Sequence, residues 1–515
     1  MSVVNELAHR PGHASDVDLE LMAAGERTRA GHRDAVDGTP GFLTPEPVGR
    51  RTKIVATLGP ATDQPGVIDS LVAAGLDVAR LNCSHGTSED VRRRALNIRE
   101  AADRAKRPVA LLVDLQGPKI RLADISPRRV SIGDEVVFAS THRAQPGDVA
   151  VELDEFDALI TDRSQLLIGD GSPRFAIDGV RAGRVHVRAL TSGALSPRKG
   201  ISVTDASPAL PAITTKDLAD VKLAVEVGAD FVAQSFVRSA DDVLQLRSIL
   251  AASSSHARLI AKIEKVEAAE NIESILAVCD GVMVARGDYG VEAGVERVPL
   301  MQKHVIRQGR RAGKVVITAT QMLESMLTNA EPTRAEASDV ANAVLDGTSA
   351  VMLSGETSVG EHPVGAVQWM AKIAATAERT LRQVEPTDIG QASPGDGAVM
   401  RAAVDLATRT DAGALIVPTS TGASARACSR HRPQVPIVAL AHDPVVARQL
   451  AVEWGVIPTV IASPGSIDDL VDAPIEKARV AASLKPGTPV VLTAGQTGRR
   501  GTTNLILLEE VPELT

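Results

Sequence analysis

Between residues 51 and 353 short aliphatic runs recur, each ending in polar or charged residues, and helical-period segments lie between them. The runs are Ile54–Thr57, Val78–Leu81, Ala110–Val113, Phe231–Gln234, Leu259–Lys262, Val282–Ala285, Val315–Thr318 and Ala350–Leu353. Segments 64–74, 86–104, 216–227, 240–253 and 333–345 carry the period expected of helices. Eight strand–helix units in one chain predict an α/β fold built on a closed (β/α)8 TIM barrel rather than an open sheet. Aromatic residues make up only 2% of the chain, so its core must be aliphatic. Continuous Val, Ile, Leu and Ala runs suit parallel strands buried on both faces.

The rhythm breaks between 118 and 208. There the runs are short, alternating and turn-rich (Val130–Phe138, Gln165–Gly171, Val185–Leu190), the pattern of a small all-β module inserted after the third strand. A new strand–helix pattern begins after 386, with runs at Ala414–Pro418, Ile437–Leu440 and Pro489–Leu492. The expected organisation is an extension over 1–49, a barrel over 50–117 and 209–386, a β-rich insert over 118–208 and a C-terminal α/β domain over 387–515. The extension mixes charges, Gly and Pro with short apolar patches, and reads as a solvated or loosely helical tail.

A formal net charge of −8 disfavours a protein that grips nucleic acid or an anionic membrane surface by its charge. No apolar run approaches the roughly 20 residues that span a bilayer. The start of the sequence lacks a cationic segment followed by an apolar one, so secretion is not expected. Cys83, Cys279 and Cys428 are scattered without metal spacing, and free thiols point to the cytoplasm.

Barrel chemistry sits at the C-terminal ends of the strands. Arg80, Asn82 and Ser84 follow the second strand, Asp114 and Lys119 the third, and Lys262 and Glu264 close the fifth. Arg286 and Asp288 follow the sixth, Thr320 and Gln321 the seventh, and Ser354 and Glu356 the eighth. Glu264 and Asp288, on neighbouring strands, could hold one hard divalent cation such as Mg2+. Lys262 is two residues from Glu264, so the two side chains share a face of an extended strand. An ammonium beside a metal suits a developing enolate or a transferring phosphoryl group, and Arg80 offers a planar fork for phosphate or carboxylate. A lone Lys-x-Glu is more often a surface ion pair; the concentration of polar groups at the ends of one barrel favours the functional reading.

Longer motifs carry a resemblance. Arg51–Pro60, Ala79–Gly86, Met283–Asp288, Ala319–Met326, Pro332–Glu336, Met352–Thr357 and Gly501–Asn504 follow one another as in the pyruvate kinase family, covering about 51 to 511. The resemblance implies a glycolytic transferase that moves the phosphoryl group of phosphoenolpyruvate to ADP and protonates the enolate to pyruvate. It implies that Arg80 contacts the substrate phosphate and that Lys262 stabilises the transferring group and the enolate. Glu264 and Asp288 would bind Mg2+, the backbone around Gly287 would touch substrate, and Thr320 would contact substrate on the path of proton delivery. Asn82, Cys83, Ser84, His85, Arg121 and Lys199 match positions facing the nucleotide, whose phosphates carry a second Mg2+. The insert would be a lid, and the chain a homotetramer.

The third strand departs from K+-activated members, which carry Thr at Leu115 and Glu at Lys119. In those members the monovalent cation sits among residues matching Asn82, Ser84, Asp114 and the carbonyl at 115. The Lys119 ammonium would replace that cation, so activity is expected not to require K+; the alternative is a Lys119 that points to solvent beside a K+ site that still works. Tyr289 stands where the family has Leu. In the last domain, Thr419, Ser420, Thr421, Gly422, Ala423 and Ser424 precede a helix and resemble the loop for the phosphate of an allosteric effector, with Arg499 and Arg500 on a closing turn. An ordinary Ser/Thr-capped helix start is the other reading. Rivals are a Mg2+-dependent barrel aldolase, which needs no nucleotide, and a non-catalytic sugar-phosphate sensor, which would not need intact strand ends.

Overall fold

A computed structural model describes residues 49–169, 171–204, 210–381, 396–462, 471–495 and 503–513. The extension up to residue 48, the ends of the insert and of the barrel near 208 and 386, and the turn bearing Arg499 and Arg500 lie outside the described residues.

All eight aliphatic runs form strands: Lys53–Thr57, Val78–Asn82, Ala110–Asp114, Phe231–Gln234, Arg258–Ile263, Gly281–Ala285, Val315–Ala319 and Ala350–Leu353. Each pairs in parallel with its sequence neighbours, and Lys53–Thr57 pairs with Ala350–Leu353 to close the barrel. Period-2 alternation then sorts the side chains. Val55, Val78, Leu112, Phe231, Ala233, Ile260, Met283, Ile317 and Met352 fill the interior as one cluster. Ile54, Ala56, Leu81 and Leu111 belong to a second cluster, shared with helices Val67–Ala73 and Ser88–Arg104. Helix starts are fixed locally: the Thr87, Thr214 and Thr333 side chains each accept the backbone N–H three residues on, closing a capping box.

Between the third and fourth barrel strands the chain builds a seven-stranded sheet and a two-stranded ribbon. Three of the six phenylalanines, Phe138, Phe156 and Phe175, lie in its core, and the Phe138 and Phe175 rings meet edge to face at 5.3 Å. Its long strand Arg174–Arg181 was not anticipated, because its apolar residues do not alternate cleanly with the polar ones. The C-terminal sheet orders Val456–Val460, Ile437–Ala441, Ala414–Thr419, Pro489–Gly495 and Thr503–Glu510, parallel except for the last strand.

The barrel floor is closed from the C-terminal side. Ala451 and Val452, just after helix Pro444–Leu450, join the interior cluster. Beside them the fully buried Asp230 accepts from Leu111 N at 2.8 Å, from Arg99 at 2.9 Å and from Arg448 Nε at 2.9 Å. Asp230→Ala removes the acceptor shared by the Leu111 amide, Arg448 and Arg99, of which Arg99 keeps the Val109 and Gly228 carbonyls, and a loss of about 3–5 kcal/mol is expected. Guanidinium denaturation measures it; a midpoint matching the parent shows that this clamp does not stabilise the fold. Among the described residues no helix is long and apolar enough to cross a membrane.

Candidate active site

The residues that continue the interior rows past the hydrophobic layer converge at the barrel mouth. Two residues beyond Leu112 stands Asp114, two beyond Ile260 stands Lys262, and two further stands Glu264. Arg80 continues the row from Val78 in the same way, and Thr57 the row from Val55.

Asp114 is fully buried and bridges two cations. Its Oδ2 accepts from Arg80 Nε at 2.8 Å and Nη2 at 2.7 Å, while Oδ1 lies 3.3 Å from Lys262 Nζ. Burial alone would raise its pKa; the charges of Lys262 and Arg80 outweigh this and hold the carboxyl below its usual range. Arg80 Nη1 also donates to Thr57 Oγ1 at 2.9 Å, and that hydroxyl donates to the Leu353 carbonyl at 2.8 Å. One edge of the guanidinium is thereby fixed across three strands, and N–H groups remain on both terminal nitrogens.

Lys262 Nζ has three acceptors: Ser235 Oγ at 2.7 Å, Glu264 Oε1 at 2.9 Å and Asp114 Oδ1 at 3.3 Å. Burial pulls its pKa down, but Asp114 and Glu264 more than reverse this, so the ammonium stays charged above the ordinary lysine range. Glu264 is almost fully buried and accepts from Phe236 N at 2.7 Å on its other oxygen. Burial first, then the Asp288 carboxylate, pushes Glu264 above the ordinary range against the pull of Lys262. Arg80 and Lys262 together balance the buried Asp114 and Glu264, and the partly exposed Asp288 adds one further carboxylate beside Lys119.

The strand ends also place the remaining expected residues. Helix Arg286–Ala293 starts immediately after the sixth strand, so Gly287 and Asp288 lie in its first turn. Gly287 N donates to Thr320 Oγ1 at 2.9 Å, which donates to the Ala319 carbonyl at 2.6 Å. Thr320 and Gln321 both have left-handed backbones, with φ of +69° and +54°. Arg286 spans this turn, its Nη2 2.6 Å from the Thr320 carbonyl and its Nη1 2.7 Å from Asp339. Glu356 accepts from Leu323 N and Ser354 N, tying the seventh strand end to the eighth.

Lys119 does not point to open solvent: its Nζ is 3.3 Å from Asp288 Oδ1, and its alkyl chain runs against Gly200. Ser84 N donates to Asn82 Oδ1 at 3.0 Å, and Ser235 Oγ donates to the Leu115 carbonyl at 2.7 Å. His85 lies in the field of Arg121, Arg80 and Lys119; burial first and then these cations push its imidazole below the ordinary range. Burial, with Asp220 nearby, raises the Cys83 thiol to about 12, which leaves it unreactive at neutral pH. Lys199 sits apart, its side chain over Gly169, and Arg121 donates to the Arg198 carbonyl at 3.1 Å. Tyr289 is buried in the apolar cluster that contains Met301 and Val305.

Two contacts in this cluster were not anticipated from the sequence, the Ser235 hydroxyl and the Phe236 amide. Counting two residues on from the interior Ala233 reaches Ser235, so the signal was present in the strand period. Phe236 acts through its backbone, which no side-chain pattern records.

Glu264 and Asp288 offer hard carboxylate oxygens. Among the described residues no group of three or more His, Cys, Asp or Glu is arranged to hold a metal. A pair of acids suits an ion such as Mg2+, which keeps water and substrate oxygens in its other positions. In the last domain, Thr419 Oγ1 accepts from Gly422 N at 2.9 Å and Thr421 Oγ1 from Ala423 N at 3.4 Å, ahead of the short helix Ala423–Ser429. Ser424 Oγ meets Thr503 Oγ1 at 3.0 Å, and Ser420 is exposed.

Comparison with known proteins agrees with this arrangement. Residues 49–367 match the family model for the pyruvate kinase barrel domain, and 397–508 that for the pyruvate kinase alpha/beta domain. A pyruvate kinase of Geobacillus stearothermophilus is 41% identical over 479 residues, covering 90% of this chain and 81% of that protein. One of Mycobacterium tuberculosis H37Rv is 40% identical over 486 residues, covering 90% of this chain and 99% of that protein. A closed barrel with a buried lysine between acids at its mouth, matched along nearly the whole chain at this identity, makes this phosphotransferase a member of the pyruvate kinase family.

Proposed function

We propose that the chain transfers the phosphoryl group of phosphoenolpyruvate to ADP at the barrel mouth and that the cluster around Lys262 performs the transfer. The supporting observation is the Lys262 ammonium, buried between Asp114, Glu264 and Ser235 and held charged where an enolate would form. Phosphoryl transfer needs positioning and charge neutralisation more than covalent help. Arg80, braced by Asp114 and Thr57, grips the substrate phosphate with its remaining N–H groups. Lys262 neutralises the phosphoryl oxygens during transfer and the enolate oxygen afterwards. Gly287 and Thr320, joined by a hydrogen bond, orient the carboxylate, and Thr320 belongs to the route of the incoming proton. Glu264 and Asp288 would hold one Mg2+, and a second would arrive on the nucleotide. A bound Mg2+ supplies positive charge to the phosphoryl and enol oxygens. Asn82, Cys83, Ser84, His85, Arg121 and Lys199 face the nucleotide, with the insert over 118–208 as the lid. Pyruvate formation by the purified protein that requires phosphoenolpyruvate, ADP and Mg2+ together tests the reading; pyruvate formed instead by carbon–carbon cleavage of a hydroxy-keto acid, with no need of phosphoenolpyruvate or ADP, would favour an aldolase-like lyase.

Activity without K+ belongs to the same proposal. Three of the four groups that would hold a monovalent cation already have partners: Asp114 is engaged by Arg80 and Lys262, Leu115 O by Ser235, and Asn82 Oδ1 by Ser84 N. Lys119 adds a fixed positive charge at Asp288. Exchanging K+ for tetramethylammonium is expected to leave the rate essentially unchanged; near-complete loss would show that the cation is required.

The reading extends to a place in glycolysis, a cytoplasmic location and a homotetramer, which light scattering checks. The three cysteines, all free and buried, fit a reducing compartment. The 419–424 loop is proposed to take the phosphate of an allosteric effector; its hydroxyls support this. A panel of sugar phosphates in titration calorimetry tests it, and absence of binding leaves the loop as a helix start.

A further inference from the structure

The end of the fourth barrel strand carries no charge, yet it touches both members of the Lys262–Glu264 pair. Ser235 Oγ accepts from Lys262 Nζ at 2.7 Å and donates its own proton to the Leu115 carbonyl at 2.7 Å. The next residue, Phe236, has a left-handed backbone with φ of +55°, and in that conformation its N–H reaches Glu264 Oε2 at 2.7 Å. A non-glycine residue adopts this conformation only where surrounding structure enforces it. Gly117 makes room for this turn: a Cβ there would lie 2.9 Å from Ser235 Cβ and 3.0 Å from the Phe236 ring.

We infer that Ser235 is a positioning residue for Lys262, and that the Ser235–Phe236 turn sets the ammonium and the Glu264 carboxylate in place before substrate arrives. Asp114 and Glu264 both pull the ammonium by charge. Ser235 is its one neutral acceptor, and its hydroxyl is directed at Leu115 O at 2.7 Å, with Asp114 Oδ1 farther away at 3.5 Å. Without it, nothing directional opposes collapse of the ammonium onto the two carboxylates, away from the oxygens of the reacting group. This inference rests on the transfer role of Lys262 proposed above.

The test is a double-mutant cycle on the full-length protein, assayed with phosphoenolpyruvate, ADP and Mg2+. Ser235→Ala removes one oxygen atom and is expected to lower kcat about 10–100-fold, the range for a hydrogen bond to a charged group. The KM for phosphoenolpyruvate should move by less than about threefold, because Arg80 and its braces are untouched. In a Lys262→Met background the same change should have no further effect on kcat. A loss confined to KM, or an equal loss with and without Lys262, would assign Ser235 to packing or substrate binding and overturn the inference. Parent-like kcat in Ser235→Ala would also overturn it. If instead Lys262→Met alone turns over like the parent, the transfer role of Lys262 fails, a result separable from the Ser235 outcome.

Discussion

Lys262→Met is expected to fold, bind phosphoenolpyruvate and turn over slower by a factor of about 100–1,000 or more, the scale on which a preorganised charge at an oxyanion acts. The methionine chain fills nearly the same volume, so packing changes little. The charge does not survive. In the parent the ammonium sits in a nearly closed pocket where water screens poorly, and its field is felt at full strength by charge that develops in the transition state. The KM should respond less than kcat, because Arg80 keeps its contacts with Asp114 and Thr57 when Lys262 is replaced. Removing the cation also leaves Asp114 and Glu264 facing each other without their shared partner, and a lower melting temperature should accompany the loss of rate. Lys262→Arg makes the argument sharper. It retains charge, but a planar fork cannot satisfy three acceptors grouped around one ammonium nitrogen, so turnover should remain far below the parent. Steady-state kinetics with thermal melts of all three proteins decide the matter. A methionine variant within about tenfold of the parent kcat would remove Lys262 from the transfer step.

The barrel was legible because its strands are buried on both faces and so read as unbroken aliphatic runs, as at Ala110–Asp114 and Gly281–Ala285. The inserted sheet was less so. Its strand Arg174–Arg181 alternates poorly, and in the adjoining two-stranded ribbon Gly193–Leu195 is three residues long, too short to show a period. At the site, charged groups stood out against the aliphatic rows, which is why Arg80, Lys262, Glu264 and Asp288 could be named from their positions. Direction could not. The spacing places Lys119 near a cation position beside Asn82, Ser84 and Asp114, but only the structure shows that its Nζ lies 3.3 Å from Asp288 Oδ1 on the sixth strand's helix. Sequence spacing fixes where a lysine begins, and four rotatable bonds decide where its ammonium ends. Neutral and backbone donors such as Ser235 Oγ and Phe236 N left no mark in composition, although the first lies on a countable row.

Glu264→Gln is expected to raise the Mg2+ concentration needed for half-maximal rate by on the order of tenfold or more, and to lower kcat at saturating Mg2+ by about 100-fold. The amide keeps the shape and can still accept from Phe236 N, so the change removes charge rather than geometry. Asp288→Asn should act in the same direction but cost less stability. Its carboxylate is partly exposed and shares its charge with Lys119, whereas Glu264 is sealed beside Lys262. Lys119→Ala supplies the opposite perturbation: freed of its ammonium, Asp288 should favour Mg2+ more strongly, and the titration curve should move to lower concentration. The three curves together test one electrostatic account, since two variants that remove negative charge and one that removes positive charge must move apart. A Mg2+ dependence unchanged in both acid variants would mean that these carboxylates do not hold the ion, and a Lys119→Ala curve displaced to higher Mg2+ would mean that the ammonium contributes more than charge.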